Sequence, residues 1–512
     1  MKKFTSTVKR TRSALLLFFS VIALTGNAQT WANEAGRFYK NCTGCHNTYG
    51  QYPWLNWSQT APYASLIRAY LLQNKMPPWS PDTTYTRFMF ERHISQADKD
   101  SIVQWVVNGA QMGDTTKAPV APTYVRYKLY GTPDLELKIP TFTSNAVSSD
   151  SYCCFSLPSG LSQDMYLRAY EIVVGNPKIV HHVIVNVDTT GTVTSDLSGG
   201  CFTASGQYSV GGYAPGAEPT VFPSMAPLKA GVRIKKGSNI ILQIHYPLGT
   251  SGQIDSTKIR LYFYPVGTTG IRPVIVKTPL QNWSMVMPAN QVTTYTATKS
   301  IGASDISVLA CFPHSHKLDT SIIDYAYKGI DTIKLVRINH WDFNFQGYYT
   351  YHRLVHVPAG YAWYGKHVYD NTTNNPNNPN NPPQTVTAGT NTTDEMLFDS
   401  FMYLTYQTGD ENINLDSIIG NDPLVTGIQP IYQQNSIASK QLNVYPNPST
   451  GMFTVNSDQL KVNSVVEVYN LLGERIQSFT VQNSKFTIDL SGQPAGIYII
   501  QANNLHARIV KQ

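Results

Sequence analysis

The chain has 512 residues, 42% of them hydrophobic and only 14% charged, a globular composition long enough for three or four domains. Its net charge of +7 is unevenly spread. Lys2, Lys3, Lys9, Arg10 and Arg12 crowd residues 1–28, which hold no acidic residue, so the remainder is near +2 and leaves no basic stripe for nucleic acid.

Residues 1–28 read as a secretory signal peptide. A basic start, the apolar run Ala14–Leu24 and the small-residue site Gly26-Asn27-Ala28 supply its parts, and the run is too short to span a bilayer. Export leads to an oxidising compartment, where one or two disulfides among Cys153, Cys154, Cys201 and Cys311 are expected. Sequence does not choose the pairing.

Residues 29–118 read as a small helical domain. The spacing of Leu66, Ile67, Tyr70 and Leu71 predicts a helix over 61–75. Ser95, with Asp98 three residues on, opens a second helix with an apolar stripe of Ile102, Val103 and Val106, stopped by Asn108-Gly109. Cys42-Thr43-Gly44-Cys45-His46 is the attachment motif of c-type haem, in which both thiols bond to the porphyrin and the His lies beneath the iron. Met76, before Pro77-Pro78-Trp79, is the candidate sixth ligand, with Met89, His93 and Met112 as competitors; His/Met ligation suits electron transfer. Through these two motifs the region resembles the cytochrome c family. Thr115–Pro122 reads as a linker.

From Tyr124 to Tyr406 the apolar pattern takes period two, punctuated by Gly, Pro and Asn, which predicts two tandem β-sandwiches over 124–268 and 269–425. In Asn239–Tyr246, Ile240, Leu242 and Ile244 face one way, and Gln243 and His245 the other. The Asn- and Pro-rich run Asn371–Pro383 reads as a solvated loop.

Through this β region run His181-His182, His245, His314-Ser315-His316 and Met396, in that order. Imidazole suits copper, iron and zinc, whereas a thioether is a poor zinc ligand and favours Cu(I). Two unlike copper sites are therefore expected, His181, His182 and His245 forming one, and His314, His316 and Met396 the other. Neighbours on a regular strand point to opposite faces, so His181 and His182 can share an ion only where the backbone is irregular. Gly175-Asn176-Pro177 permits that at a strand entrance. His314 and His316 are expected on one face of a strand, and Met396 on another strand. A lone His or Met in a β protein is usually structural, and the order of all six carries the reading.

The surrounding segments Val180-His181-His182, Gln243-Ile244-His245-Tyr246, Pro313-His314-Ser315-His316, Trp341-Asp342-Phe343-Asn344 and Asp394-Glu395-Met396 resemble the copper type II, ascorbate-dependent monooxygenases. Peptidylglycine α-hydroxylating and dopamine β-monooxygenases are familiar members. The resemblance implies jelly-roll-like sandwiches facing each other across an open cleft, one copper in each. The first copper would relay electrons, and the second would bind O2 and hydroxylate substrate, with ascorbate as a possible external reductant. Two departures stand out. Leu397 replaces a disulfide-forming Cys of the animal enzymes, and Phe398 and Ser400 replace the Asn and Tyr that bind a peptide carboxylate, which argues against peptidylglycine as substrate.

Beyond a polar linker at 426–440, residues 443–512 alternate short strands with turns. Tyr445-Pro446-Asn447-Pro448, Leu472-Gly473-Glu474, Ala495-Gly496-Ile497-Tyr498 and Arg508-Ile509-Val510-Lys511 resemble the type A C-terminal sorting domain of type IX secretion. The expected whole is a multidomain, mainly β protein at the cell surface or beyond, with the secretion machinery and an electron donor as partners. It would hydroxylate a C–H bond of a small organic or peptide-like substrate with O2, its two copper ions supplied through a fused c-type haem. A non-catalytic haem/copper electron conduit is the rival, and an adhesin with residual metal sites a third possibility.

Overall fold

The computed structural model describes residues 29–49, 52–124, 127–201, 208–214, 217–427, 442–456, 460, 462–470, 474–483, 485–502 and 505–512. The signal segment, residues 428–440 of the expected linker and Leu472-Gly473 lie outside them. The described residues are mainly β, with few helices, and fall into two compact units divided at residue 428.

The helical segment opens with a helix that the sequence reading missed, Trp31–Asn41, which ends on Cys42. The other two match the expectation closely. A 3-10 turn and an α-helix cover Ala61–Leu72, and a further helix runs Gln96–Val107. Ser95 Oγ accepts from Asp98 N at 3.1 Å, a cap that contributes about 1 kcal/mol. Gly109, at φ +85°, ends that helix in a conformation that costs glycine little. Packing kept only part of each expected stripe: Ile67, Leu71 and Ile102 are buried, with Trp105, against Trp31 and Phe38, while Leu66 and Tyr70 are exposed.

Residues 29–118 keep a small apolar core of their own but also reach the β region. A strap from Trp79 to Arg92 leaves the helices and lies along the β region, where Pro81 bridges Ile338 and Phe88 bridges Tyr351. Asp82 pairs with Arg337 at 2.7 Å, and Met89 N donates to Thr350 O at 2.7 Å. Phe88 and Met89 join β-region cores because an isolated helical layer this thin could not bury them. The expected linker is partly structured as well: Thr115–Lys117 is a 3-10 turn packed on the first helix.

The first β layer pair consists of a seven-stranded sheet, centred on Lys258–Phe263, Met165–Val173 and Leu228–Ile234, and a five-stranded sheet ordered Asp196–Gly199, Ser151–Pro158, Asn239–Tyr246, His182–Asp188, Tyr208–Tyr213. Ile240, Leu242 and Ile244 point into the core between them, as the alternation predicted. The opposite face of that strand is buried too, under the Cys154–Cys201 disulfide, with Gln243 Nε2 donating to Cys201 O at 2.8 Å. Cys153 and Cys311 are free and buried.

The second pair has two four-stranded sheets. One is ordered Ile275–Gln281, Phe398–Thr405, Ile306–Phe312, Tyr349–Val357, and the other Gln291–Ser300, Ala362–Asn371, Asp319–Lys328, Asp331–Ile338. Leu309, Leu354, Met402 and Leu404 project from the first of these into the same apolar cluster as the core of the preceding pair. The run Asn371–Pro383 is largely the solvated loop expected, with Thr373, Asn374, Pro376, Asn377, Asn381 and Pro382 exposed, but two buried Asn side chains anchor it. Asn371 is fully buried, donating to Met287 O, Pro288 O and Gln384 O, and Asn375 donates to Asp370 O and Lys317 O. Asn side chains there replace backbone partners, which composition alone does not reveal.

The second unit is a small pair of three- and four-stranded sheets around Phe453, Val455, Val466, Val468, Ile500 and Ile509. It includes strands Arg475–Thr480 and Leu505–Lys511, which the turn pattern did not separate.

Candidate metal centres

His182 begins the strand His182–Asp188, and His181 precedes it in irregular backbone, donating its N–H to His245 O at 3.0 Å. His182 and His245 are register partners on neighbouring strands. The three imidazoles converge through Nδ1: His181 to His182 is 3.4 Å and His182 to His245 is 3.3 Å. Two nitrogens each about 2.0–2.1 Å from one zinc-like ion, at a tetrahedral angle, stand roughly 3.3 Å apart. Converging lone pairs at that spacing fit a shared cation. Asp150 Oδ2 lies 3.3 Å from His245 Nε2, which keeps a proton on Nε2 and the Nδ1 lone pair free. Asp150 also accepts from Leu248 N at 2.7 Å and Thr392 N at 2.8 Å. Burial raises its pKa, yet these contacts outweigh burial and hold it below the usual carboxylate range. Tyr152 stacks on His245 with ring centroids 4.3 Å apart.

His314 and His316 do not lie on a strand. Strand Ile306–Phe312 ends just before them, and Met396 sits in a loop two residues ahead of strand Phe398–Thr405. Buried acids shape this loop in place of a ladder. Asp399 Oδ1 accepts from His314 N, and Glu395 Oε2 from His316 N, each at 3.1 Å. The Met396 carbonyl accepts from Ser315 Oγ and Tyr369 OH, both at 2.7 Å, which brings residue 396 beside the His-Ser-His segment. His314 Nδ1 meets Gln346 Oε1 at 2.6 Å and His316 Nδ1 meets Asp394 O at 3.1 Å. Both rings therefore carry the Nδ1 proton and keep Nε2 as the free donor, the opposite polarity from the first cluster.

Burial pushes all five imidazoles down, His181 to about 3 and His314 to about 4, so each is neutral and able to ligate near pH 7. Burial also pushes Glu395 up to about 8, against the N–H groups of Leu318, His316 and Met396.

Among the described residues the expected open cleft is absent. The His182 and His314 ring centroids are 6.3 Å apart. Phe343 stacks on His181 at 4.5 Å and meets His316 edge-on at 5.8 Å. Tyr152 OH donates to Thr390 O, and Asp150 accepts from Thr392 N, so both halves are pinned beside the clusters. The apolar contact through Met402 and Leu404 closes the halves, which the six-residue pattern could not report. A cavity of about 130 Å³ lies behind Gln346, lined also by Trp79, Met89, Tyr348 and Met402.

Of the haem candidates, Cys42 and Cys45 follow the first helix as free thiols, not bonded to each other. Burial pushes Cys42 up to about 12. His46 Nδ1 meets Tyr52 O at 3.1 Å, and its ring stacks on Trp54 at 3.7 Å. Met76 is half-buried where the strap begins. Met89 is committed to a β core, whereas His93 and Met112 are exposed.

Sequence reading missed Asp150, Tyr152 and Gln346, since an acid, a ring or an amide far along the chain carries no spacing signal. Residues 275–417 match the copper type II ascorbate-dependent monooxygenase C-terminal domain, and residues 443–512 match the secretion system C-terminal sorting domain. Neither match reaches residues 29–118 or His181, His182 and His245. No curated protein matches the chain. The chain thus carries a copper monooxygenase-family domain and a type IX export tail, which directs it to the cell surface or outside. No described helix is long and apolar enough to cross a membrane.

Proposed function

We propose that this is a secreted copper monooxygenase that hydroxylates a C–H bond of an organic substrate. The observation that carries the reading is the pair of adjoining clusters of opposite imidazole polarity, one of which lies in the matched family domain. His181, His182 and His245 would hold one copper, and His314, His316 and Met396 the other. Copper so held would supply one-electron redox and O2 chemistry. The balance is substrate C–H plus O2, two electrons and two protons, giving C–OH and water.

The protein's part is to fix and dry the sites. Asp150, Gln346 and the Asp394 carbonyl set the tautomers of His245, His314 and His316, while Phe343 and Tyr152 cover the rings and keep water out. Phe398 meets His314 edge-on at 6.4 Å and Ser400 Oγ is occupied by Thr278 Oγ1 at 2.7 Å, so an apolar substrate fits better than a peptide carboxylate.

The donors at Cys42, Cys45 and His46 fit a c-type haem, with two free thiols and an adjacent imidazole whose Nδ1 meets the Tyr52 carbonyl. Met76 would be the sixth ligand. Such a haem would supply single electrons to the His181, His182 and His245 cluster. The docked strap, rather than a loose linker, would keep the haem segment beside the β region.

The closeness of the clusters also favours a second reading, a haem/copper electron conduit without oxygen transfer. Reduced, copper-loaded protein exposed to ¹⁸O2 with a panel of C–H donors decides between them. Substrate-dependent O2 uptake with label in the product supports the monooxygenase, and O2 reduction without product label supports the conduit.

A further inference from the structure

The second β pair holds a buried group of charges of which only Asp399 touches a His cluster, through the His314 N–H. Asp319 and Asp324 lie on strand Asp319–Lys328 and His367 on its neighbour Ala362–Asn371, while Asp399 comes from the facing sheet. All four are fully buried or nearly so. His367 Nδ1 meets Asp319 Oδ2 at 2.6 Å, and its Nε2 meets Asp399 Oδ2 at 2.9 Å. One oxygen each of Asp324 and Asp399, with a nitrogen of His367, lie within 4.8 Å of one another.

Asp324 is the anomaly. Both its carboxylate oxygens are buried, and among the described residues no donor reaches either of them. It faces Asp399 carboxyl to carboxyl, and burial together with that neighbouring charge pushes its pKa well up, so a proton or a cation must stand between the two. An unpaired buried carboxylate costs several kcal/mol on the usual scale, so something positive is called for. Gly365, the register partner of Asp324, leaves the room: a Cβ there would stand 3.0 Å from Asp324 Oδ1 and 3.1 Å from Asp399 Oδ2.

We infer that Asp324, Asp399 and His367 Nε2 form a third cation site, separate from the two His clusters, that takes a divalent first-row ion of zinc type. Asp319 is the positioning carboxylate that holds the Nδ1 proton of His367, the carboxylate–histidine–metal arrangement common at such sites. Two ligand carboxylates balance the charge of a dication, and mixed N/O donors suit zinc. Because Asp399 also accepts from His314 N through its other oxygen, the ion would brace the backbone of the neighbouring His-Ser-His segment.

The test uses full-length protein purified from zinc-supplemented growth, desalted and assayed for metals by mass spectrometry. Wild type should retain one equivalent of zinc more than Asp324→Asn, and one more than His367→Gln, while copper uptake at His181, His182 and His245 after reconstitution stays equal in all three. Heating wild type with a chelator should lower its melting temperature and release that equivalent. Equal zinc in wild type and both variants overturns the site. So does a wild type with no zinc beyond what copper displaces and a melt insensitive to chelator, which would mean that protons rather than a cation balance the cluster. The wild-type measurements decide even where a variant fails to fold.

Discussion

Replacing Asp150 by Asn tests whether the first imidazole cluster is built by its buried neighbours. The carboxylate is 8% exposed and serves three groups at once: His245 Nε2, Leu248 N and Thr392 N. An Asn of the same shape keeps one acceptor oxygen and sets an NH2 group against one of these N–H donors. Loss of an orienting partner typically costs 10–100-fold in metal affinity, or about 1.4–2.7 kcal/mol. The unsatisfied backbone donor should cost a further ~1–3 kcal/mol of folding stability. Copper titration against a competing chelator, with melting of the metal-free protein, separates the two effects. The expected result is weakened binding at His181, His182 and His245 with the His314, His316 and Met396 site unaltered. Unchanged affinity at the three-His cluster would refute the claim that Asp150 sets the His245 tautomer. Equal loss at both sites would show that Asp150 acts through the contact between halves instead.

Removing the Cys154–Cys201 bridge, whose ends are separated by 47 in sequence, should cost about 4 kcal/mol by the chain-entropy relation, read as a lower urea midpoint for the Cys154→Ala/Cys201→Ala protein. Asp410 accepts from Arg272 at 2.6 and 2.7 Å, and these bonds, with Ser307 and Gln407, outweigh burial and depress its pKa. A depressed carboxylate contributes stability that is complete above its unfolded value of about 3.9 and is lost as pH falls through the folded value. Asp410→Asn should therefore cost about 3 kcal/mol at pH 7 and flatten the acid limb of stability below about pH 4, measured by urea unfolding across pH. Cys42→Ala/Cys45→Ala should abolish haem that survives acidic organic extraction, and Met76→Ala should keep the haem but admit exogenous ligands and lower its potential, seen by absorbance and redox titration.

The sequence by itself determined local matters, because local chemistry writes them. Ser95 and Gly109 bracket their helix as a cap and a stop, and the period-two run Asn239–Tyr246 sets Ile240, Leu242 and Ile244 against Gln243 and His245. The order of His and Met also pointed to two groups of donors, and His314, His316 and Met396 fall within the residues that match the copper monooxygenase C-terminal domain. Tertiary structure decided the rest. Which imidazole nitrogen each ring presents depends on Asp150, Gln346 and the Asp394 carbonyl, partners set by packing rather than spacing. Off-strand placement of His314, His316 and Met396 follows from Glu395 and Asp399 replacing ladder bonds. The strap Trp79–Arg92 left its helical layer because the β cores bury Phe88 and Met89 more completely than a thin helical segment can. The closed contact between the clusters arises likewise from Leu309, Leu354, Met402 and Leu404, outward residues of one sheet whose apolar area is removed from water only when the two halves meet.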